Sequence, residues 1–242
     1  MEEIWLVTLP HAGGSSAIFK RWKKKIACNI LNVEYPGHWT RMNEPMIDTF
    51  AALAEDVVYT IEKKIPFGAK VYIFGHSVGA IIAWHISPVL IDIGYDMRGL
   101  FLSGSQNPGS FPEKSILKSA TDSQMLQMIG YKTEEHDEAI NKQFMDTFFP
   151  ILKNDLRVCK SFFCDGHYVD IRSHVLYGTA DIFTDYEEMR KWEDYVSLVS
   201  MNAYFGDHLF INKIENINDI TARINDEIQV MNNKPELFIA KP

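Results

Sequence analysis

Cysteine is scarce in this chain. Cys28, Cys159 and Cys164 are the only three in 242 residues, an odd number without paired or metal-ligand spacing. That excludes a disulfide framework and a thiolate metal centre. Free thiols in a reducing compartment are the expected reading, and with them a cytoplasmic location. A surplus of positive charge is also missing, because 24 Lys and Arg face 32 Asp and Glu for a net charge of −8. Without a basic tract to meet phosphates, a general nucleic-acid binder is excluded, and binding to an anionic membrane surface is disfavoured. Long apolar runs are absent as well. The run Ile4–Leu9 follows the acidic pair Glu2 and Glu3 and stops at Pro10, which fits neither a signal peptide nor a membrane span. No internal repeat, low-complexity tract or interdomain linker breaks the chain. What remains is ordinary globular substance, 46% hydrophobic and 23% charged, enough for the core of one large α/β domain or two small ones, and with no linker a single domain over residues 1–242 is expected.

Short β-branched runs alternate with helical periodicity through the first hundred residues. Ile4–Leu9 reads as a strand, followed by a Gly and Ser loop, Pro10 to Ser16, with Ser16 capping a helix to about Lys25. Ile30–Tyr35 reads as a second strand. A helix from about Thr49 to Lys64 carries Phe50, Leu53, Ala54, Val57, Val58 and Ile61 at helical spacing. Val71–Phe74 is the next strand, and a helix after it is expected to kink or restart near Ser87 because of Pro88. Gly99–Ser103 follows as a strand. This alternation predicts a mostly parallel central sheet with helices on both faces. From Asn107 to about His167 strands give way to helices: one with Met125, Leu126, Met128 and Ile129 that stops at Gly130, then a longer pattern from Glu135 to Phe163 broken at Pro150. This segment, about 108–163, reads as a helical insertion. The sheet resumes at His174–Tyr177 and again near Val199–Phe205, separated by a helix from Asp185 to Tyr195. A last helix spans Ile214 to Met231, and the end from Asn232 reads as a loose tail.

The chemistry-bearing stretch is Gly75-His76-Ser77-Val78-Gly79, placed between a strand and a helix. That is the context of a nucleophile elbow. A serine on so sharp a turn leaves almost no room two positions away, which calls for glycine on both sides. A serine hydroxyl needs a histidine base, and the base needs a carboxylate to fix its tautomer. In the α/β-hydrolase order the acid and then the histidine follow the serine. Of eight histidines, His208 lies directly after the last strand. His167 precedes the last two strands and would reverse the order. Asp181 follows its strand closely, with Gly178 allowing the turn. Asp185 suits the first turn of the next helix, and Asp207 is too near His208 in sequence to face it. Two backbone N–H groups are needed for the oxyanion, and Val78 and Ala12 are placed to supply them. The glycines beside Ala12 are not a dinucleotide fingerprint, since no G-x-G-x-x-G occurs. His11 at the pocket mouth and Met125 and Phe148 of the insertion are the candidate substrate-binding side chains. No metal site is expected.

These pieces together resemble a known family. Leu9-Pro10-His11-Ala12-Gly13-Gly14, Tyr35-Pro36-Gly37-His38, Gly75-His76-Ser77-Val78-Gly79-Ala80, Asn154-Asp155-Leu156-Arg157, Tyr177-Gly178 with Asp181 and Trp192, and Phe205-Gly206-Asp207-His208-Leu209-Phe210 resemble the type II thioesterases of non-ribosomal peptide and polyketide assembly lines. Those belong to the α/β-hydrolase superfamily. The motifs stand in the family's order and cover nearly the whole chain. The chain departs from the pattern at His11, where an aromatic is more usual, and at Trp39 and Asp207, where glycine is common. The resemblance implies Ser77, Asp181 and His208 as the triad, Ala12 and Val78 as oxyanion donors, and the 108–163 segment as a lid. It implies hydrolysis of aberrant or stalled acyl groups on the phosphopantetheine arm of acyl or peptidyl carrier proteins, with no cofactor beyond that arm. A stand-alone carboxylesterase or lipase would use the same residues, as would acyl transfer. With so acidic a chain, carrier docking is expected at a local patch such as Lys20–Lys25 or on the lid. With no heptad or obvious interface run, a monomer is expected.

Overall fold

Strand β1 (Ile4–Leu9) is flanked on one side by β2 (Asn29–Asn32) and on the other by β3 (Lys70–His76). The sheet continues through β4 (Asp96–Ser103), β5 (Val169–Gly178) and β6 (Val196–Tyr204), in the order β2-β1-β3-β4-β5-β6. Every pairing in it is parallel. The computed structural model describes residues 3–111, 121–128 and 131–232. Gly130 and the tail beyond 232 lie outside the described residues.

Parallel strands covered on both faces are hydrophobic at consecutive positions, because alternate side chains enter opposite layers. Val7, Ile73, Leu100, Leu102 and Val175 face one layer. It is closed by α1 (Phe50–Lys64), α2 (Val78–Ile93) and α5 (Phe149–Lys160). Leu6, Tyr72, Phe74, Phe101 and Leu176 face the other. It is closed by Phe19 and Trp22 on one side and by Ile217, Ile220 and Ile224 of the last helix, α7 (Ile214–Asn232), on the other.

Local chemistry sets several boundaries differently from the sequence reading. The first helix is a 3₁₀ turn, Ser16–Lys24, capped by Ser15, whose hydroxyl accepts from the Ala17 amide. Ser16 instead gives its amide and hydroxyl to Glu34. Thr49 caps α1 through Ala52. Helix α2 runs unbroken through Pro88. Its neighbour Ser87 is buried and donates its hydroxyl to the Ala83 carbonyl at 2.6 Å. The pattern from Glu135 to Phe163, expected to break at Pro150, divides at Phe148 into α4 (Glu138–Thr147) and α5, with Pro150 in the first turn of α5 where its missing N–H costs nothing. The short α3 (Asp122–Met128) precedes them. Asp185 caps α6 (Tyr186–Arg190), which gives way to a 3₁₀ turn at Lys191–Asp194. Strands β2, β5 and β6 are displaced or longer than their apolar runs suggest. β2 ends at Asn32, while β5 starts at Val169 and β6 at Val196.

Because the sheet is parallel, the loops after β1, β3, β5 and β6 all emerge at the same edge. That edge, beyond the carboxyl ends of the strands, is where open α/β sheets collect their ligands.

Candidate active site

Ser77 is one of two non-glycine residues with positive φ among those described, at φ 57 and ψ −123. A serine held there stores about 1–3 kcal/mol of backbone strain. Its surroundings leave no alternative. A Cβ on Gly75 would stand 2.1 Å from the Gly79 carbonyl oxygen, and one on Gly79 would stand 2.4 Å from the Leu9 carbonyl oxygen. Both glycines of the elbow are therefore fixed by close approach, and Gly79 is what lets α2 press against β1. The Ser77 amide is tied to the Ser103 carbonyl at the end of β4 (2.7 Å).

Two loops meet beside the elbow because β5 and β6 are paired in register, Gly178 with Tyr204. The Thr179 amide donates to Tyr204 O and the Ala180 amide to Gly206 O, each at 2.8 Å. Gly178 serves this approach rather than a turn, since a Cβ there would lie 2.5 Å from the Asp207 carbonyl oxygen. Asp181 and His208 are thereby brought together, with His208 Nδ1 donating to Asp181 Oδ2 at 2.9 Å. The Asp181 side chain is fully enclosed and also accepts from the Phe183 amide (2.9 Å) and the Thr184 hydroxyl (2.8 Å). With Nδ1 engaged, Nε2 is the ring nitrogen left to exchange a proton. Among the described residues no hydrogen bond joins Ser77 and His208. The rival residues have other tasks. Asp207 accepts from the Leu209 amide, and His167 stacks on Trp84 at 3.9 Å and pairs with Asp165.

His76, which the sequence reading passes over, links the two halves of the site. Its ring is fully buried, with Nε2 2.9 Å from the His208 carbonyl and Nδ1 2.9 Å from the Ser103 hydroxyl. Nε2 donates and Nδ1 accepts, which is a neutral ring. Burial, with His208 and His11 adding repulsion, holds its pKa well below the ordinary histidine value. His76 therefore anchors the backbone of His208 to the residue preceding Ser77.

The loop after β1 carries His11 and Ala12, both buried. The His11 ring lies over Gly14 and edge-on to His76 at 5.8 Å. Burial, reinforced by His208 and His38, pushes its pKa down to about 3, and its buried Nδ1 has no partner. Neither the Ala12 nor the Val78 amide donates a hydrogen bond among the described residues, which leaves both available to a ligand.

A cavity of about 480 Å³ opens beside His208. Leu126 and Tyr131 of the insertion face Ile182, Phe183 and Leu209 across it. Its size suits a small-molecule chain. The side chains proposed from sequence for substrate contact are not among those lining it. Met125 packs toward the core, Phe148 is exposed and stacks on Phe144, and His11 lies under the elbow. No cluster of His, Cys, Asp or Glu able to hold a metal ion occurs among the described residues, and no helix there is long and apolar enough to cross a membrane.

The match that decides the family runs along almost the whole chain, residues 5–228, to the thioesterase domain. The chain belongs to the thioesterase domain family. This thioesterase is 26% identical to Thioesterase PikA5 of Streptomyces venezuelae over 243 residues, covering 98% of the chain and 85% of the relative. It is equally identical to Thioesterase TesA of Mycobacterium marinum over 213 residues, covering 86% and 85%. Among solved structures, ClbQ from the colibactin NRPS/PKS pathway superimposes with a TM-score of 0.80 at 27% identity, over 95% of this chain and 98% of that one. The fold is that of an α/β-hydrolase, and the enzyme is a thioester hydrolase of the serine-hydrolase type.

Proposed function

We propose that this thioesterase releases aberrant or stalled acyl groups from the phosphopantetheine arm of carrier proteins in non-ribosomal peptide or polyketide biosynthesis. The observation that carries the reading is the likeness to ClbQ over nearly the full length of both chains, joined to a serine elbow with an acid–histidine pair beside it.

In this mechanism His208 Nε2 takes the Ser77 proton as the hydroxyl attacks the thioester carbonyl. Asp181 holds the ring in the tautomer that leaves Nε2 basic and stabilises the imidazolium that forms. The amides of Ala12 and Val78 receive the oxyanion, a contribution worth about 10²–10³ in rate per donor. The imidazolium returns its proton as the pantetheine thiolate departs. A water activated by His208 then attacks the acyl-serine, and the acid leaves. The thiolate is a good leaving group, so the first half-reaction demands less than amide cleavage. The chain needs no cofactor of its own and acts as a monomer in this reading. The acyl chain occupies the cavity between Leu126, Tyr131 and the loops after β5 and β6. Lys20, Arg21, Lys23 and Lys24 on the exposed face of the 3₁₀ turn that follows the oxyanion loop supply a basic strip for an acidic carrier domain.

The test compares an acyl-carrier-protein thioester with the matching free ester, using wild type and Ser77→Ala. The thioester is expected to turn over faster, and Ser77→Ala to lose about 10³-fold or more. Faster turnover of the free ester would favour a carboxylesterase, and retained activity in Ser77→Ala would refute the serine mechanism.

A further inference from the structure

We infer that His38 and Asp155 form one buried unit that positions the oxyanion loop, an inference that rests on the role proposed for Ala12. Asp155 stands on α5, and its Oδ2 accepts from the Gly13 amide at 2.6 Å and from His38 Nε2 at 2.9 Å. His38 Nδ1 lies 3.0 Å from the Pro36 carbonyl. Both ring nitrogens thus face acceptors only, and both must donate, so the ring is an imidazolium. His38 is 3% exposed and Asp155 5%.

The groups around the pair are consistent with that charge. Burial opposes it, but the hydrogen bond and charge of Asp155, the Pro36 carbonyl and the charge of Glu34 raise the His38 pKa above its ordinary value. The Tyr35 ring meets His38 edge-on at 5.8 Å, and His11 faces the pair as a neutral ring.

The loop is held from both ends. The Tyr35 hydroxyl donates to the Pro10 carbonyl (3.0 Å), and the Gly14 amide donates to His11 O (2.9 Å). Gly13 sits at φ +70 with Leu152 against it, since a Cβ there would be 2.9 Å from Leu152 Cδ1. Asp155 grips the Gly13 amide, the next one along from Ala12. The carboxylate's hydrogen bond therefore falls on the peptide adjacent to the one that carries the proposed oxyanion donor.

The sequence commits strain to keeping His38 in place. Gly37 at φ 80 and Trp39 at φ 28 flank it. Trp39 is the second non-glycine residue with positive φ among those described, and such a residue persists only where its surroundings dictate it. Arg41 supplies that dictation. It donates to the Glu34 carbonyl, Asp56 and Glu44, while its own carbonyl accepts from the Gly37 amide. A buried ion pair seldom raises stability over an apolar replacement. Its use here is geometric, because a charged acceptor makes a shorter and stiffer hydrogen bond to Gly13 than a neutral one.

The experiment measures kcat and KM for an acyl-N-acetylcysteamine thioester, per serine counted by fluorophosphonate titration. It uses wild type, Asp155→Asn, His38→Gln and the double variant. Each single variant is expected to lower kcat about 10- to 100-fold with KM within about threefold, below the loss of a whole oxyanion donor. The double variant is expected to match the worse single one, because the two residues act as one unit. If Asp155→Asn does not accumulate as folded protein, His38→Gln alone carries the test. Single variants within threefold of wild-type kcat per titrated serine would overturn the inference, as would losses that multiply in the double variant. Ser77→Ala, run alongside, separates this result from the functional reading. An inactive wild type, or an active Ser77→Ala, defeats that reading, whereas active wild type with unaffected positioning variants defeats only this inference.

Discussion

Replacing His11 with phenylalanine should flatten the acid sensitivity of this protein. The imidazole of His11 is 7% exposed, has an unpartnered Nδ1, and titrates near 3 in the fold against about 6.5 in the open chain. Below pH 6.5 the unfolded chain binds a proton that the folded one refuses. Stability therefore rises with pH up to about 6.5 and falls as the solution is acidified toward 3. Each pH unit in that window is worth about 1.4 kcal/mol. At pH 5.0 the cost of His11 is about 2 kcal/mol, and at pH 7.5 it has vanished. Phenylalanine keeps the ring's bulk over Gly14 and its edge toward His76 while removing the proton site. It also removes a buried donor or acceptor with no partner, so His11→Phe should be no less stable than wild type at pH 7.5. His76, whose pKa is depressed first by burial, then by His208 and least by His11, titrates in both proteins, so the main part of its contribution is common to the two. Urea unfolding of both proteins at pH 7.5 and 5.0 reads the effect. The stability difference, variant minus wild type, should grow by about 2 kcal/mol at the lower pH. A difference unchanged between the two pH values would show that His11 is protonated in the fold or is not buried as described.

Two further outcomes follow from the site's geometry. Asp181→Asn removes the acceptor that selects the His208 tautomer and is expected to cost about 10³–10⁴ in kcat. Steady-state thioester hydrolysis checks this, and a loss below tenfold would mean that another group orients His208. Gly13→Ala places a methyl 2.9 Å from Leu152 Cδ1 at φ +70. It should lower stability by about 1–3 kcal/mol and reduce kcat. Leu152→Ala in the same chain should recover the part of the kcat loss that comes from the clash but not the part from backbone strain. Chemical denaturation and kinetics on the pair decide it, and no recovery of any kind would place the damage elsewhere.

The elbow and the parallel sense of the sheet were legible because their causes are local. Gly75 and Gly79 are demanded by contacts within a few residues of Ser77 or with the adjacent strand, and a parallel sheet forces later loops to the same edge. His208 and Asp181 were read from that edge together with the serine–acid–histidine chain order, and the structure pairs them at 2.9 Å. His38 and Asp155 were not found in this way. They meet across 117 residues, and no periodicity connects a connector loop to a helix of the insertion. One local signal was present: Asp155 lies between Leu152 and Leu156 on the apolar side of α5, where an unpaired carboxylate would be costly. His76 escaped for a different reason. The elbow pattern leaves its position open, and only the tertiary contact with the His208 carbonyl gives it a task. Met125 and Phe148 do not line the cavity beside His208, because amphipathic spacing tells which face of a helix is apolar but not whether that face meets the core or a cavity.

The two halves of the insertion are fastened to the rest of the protein very differently. Helix α5 buries Phe149, Leu152, Asp155 and Leu156 and touches the backbone of the loop after β1, whereas α4 has no buried residue. The side chains of the insertion that line the cavity, from Ser123 to Glu134, come before both. Inheritance can therefore act on the two halves separately. Substitutions at Ser123, Leu126 or 131–134 change the shape of the cavity beside His208, while changes at Leu152 or Asp155 act on the loop after β1 through Gly13.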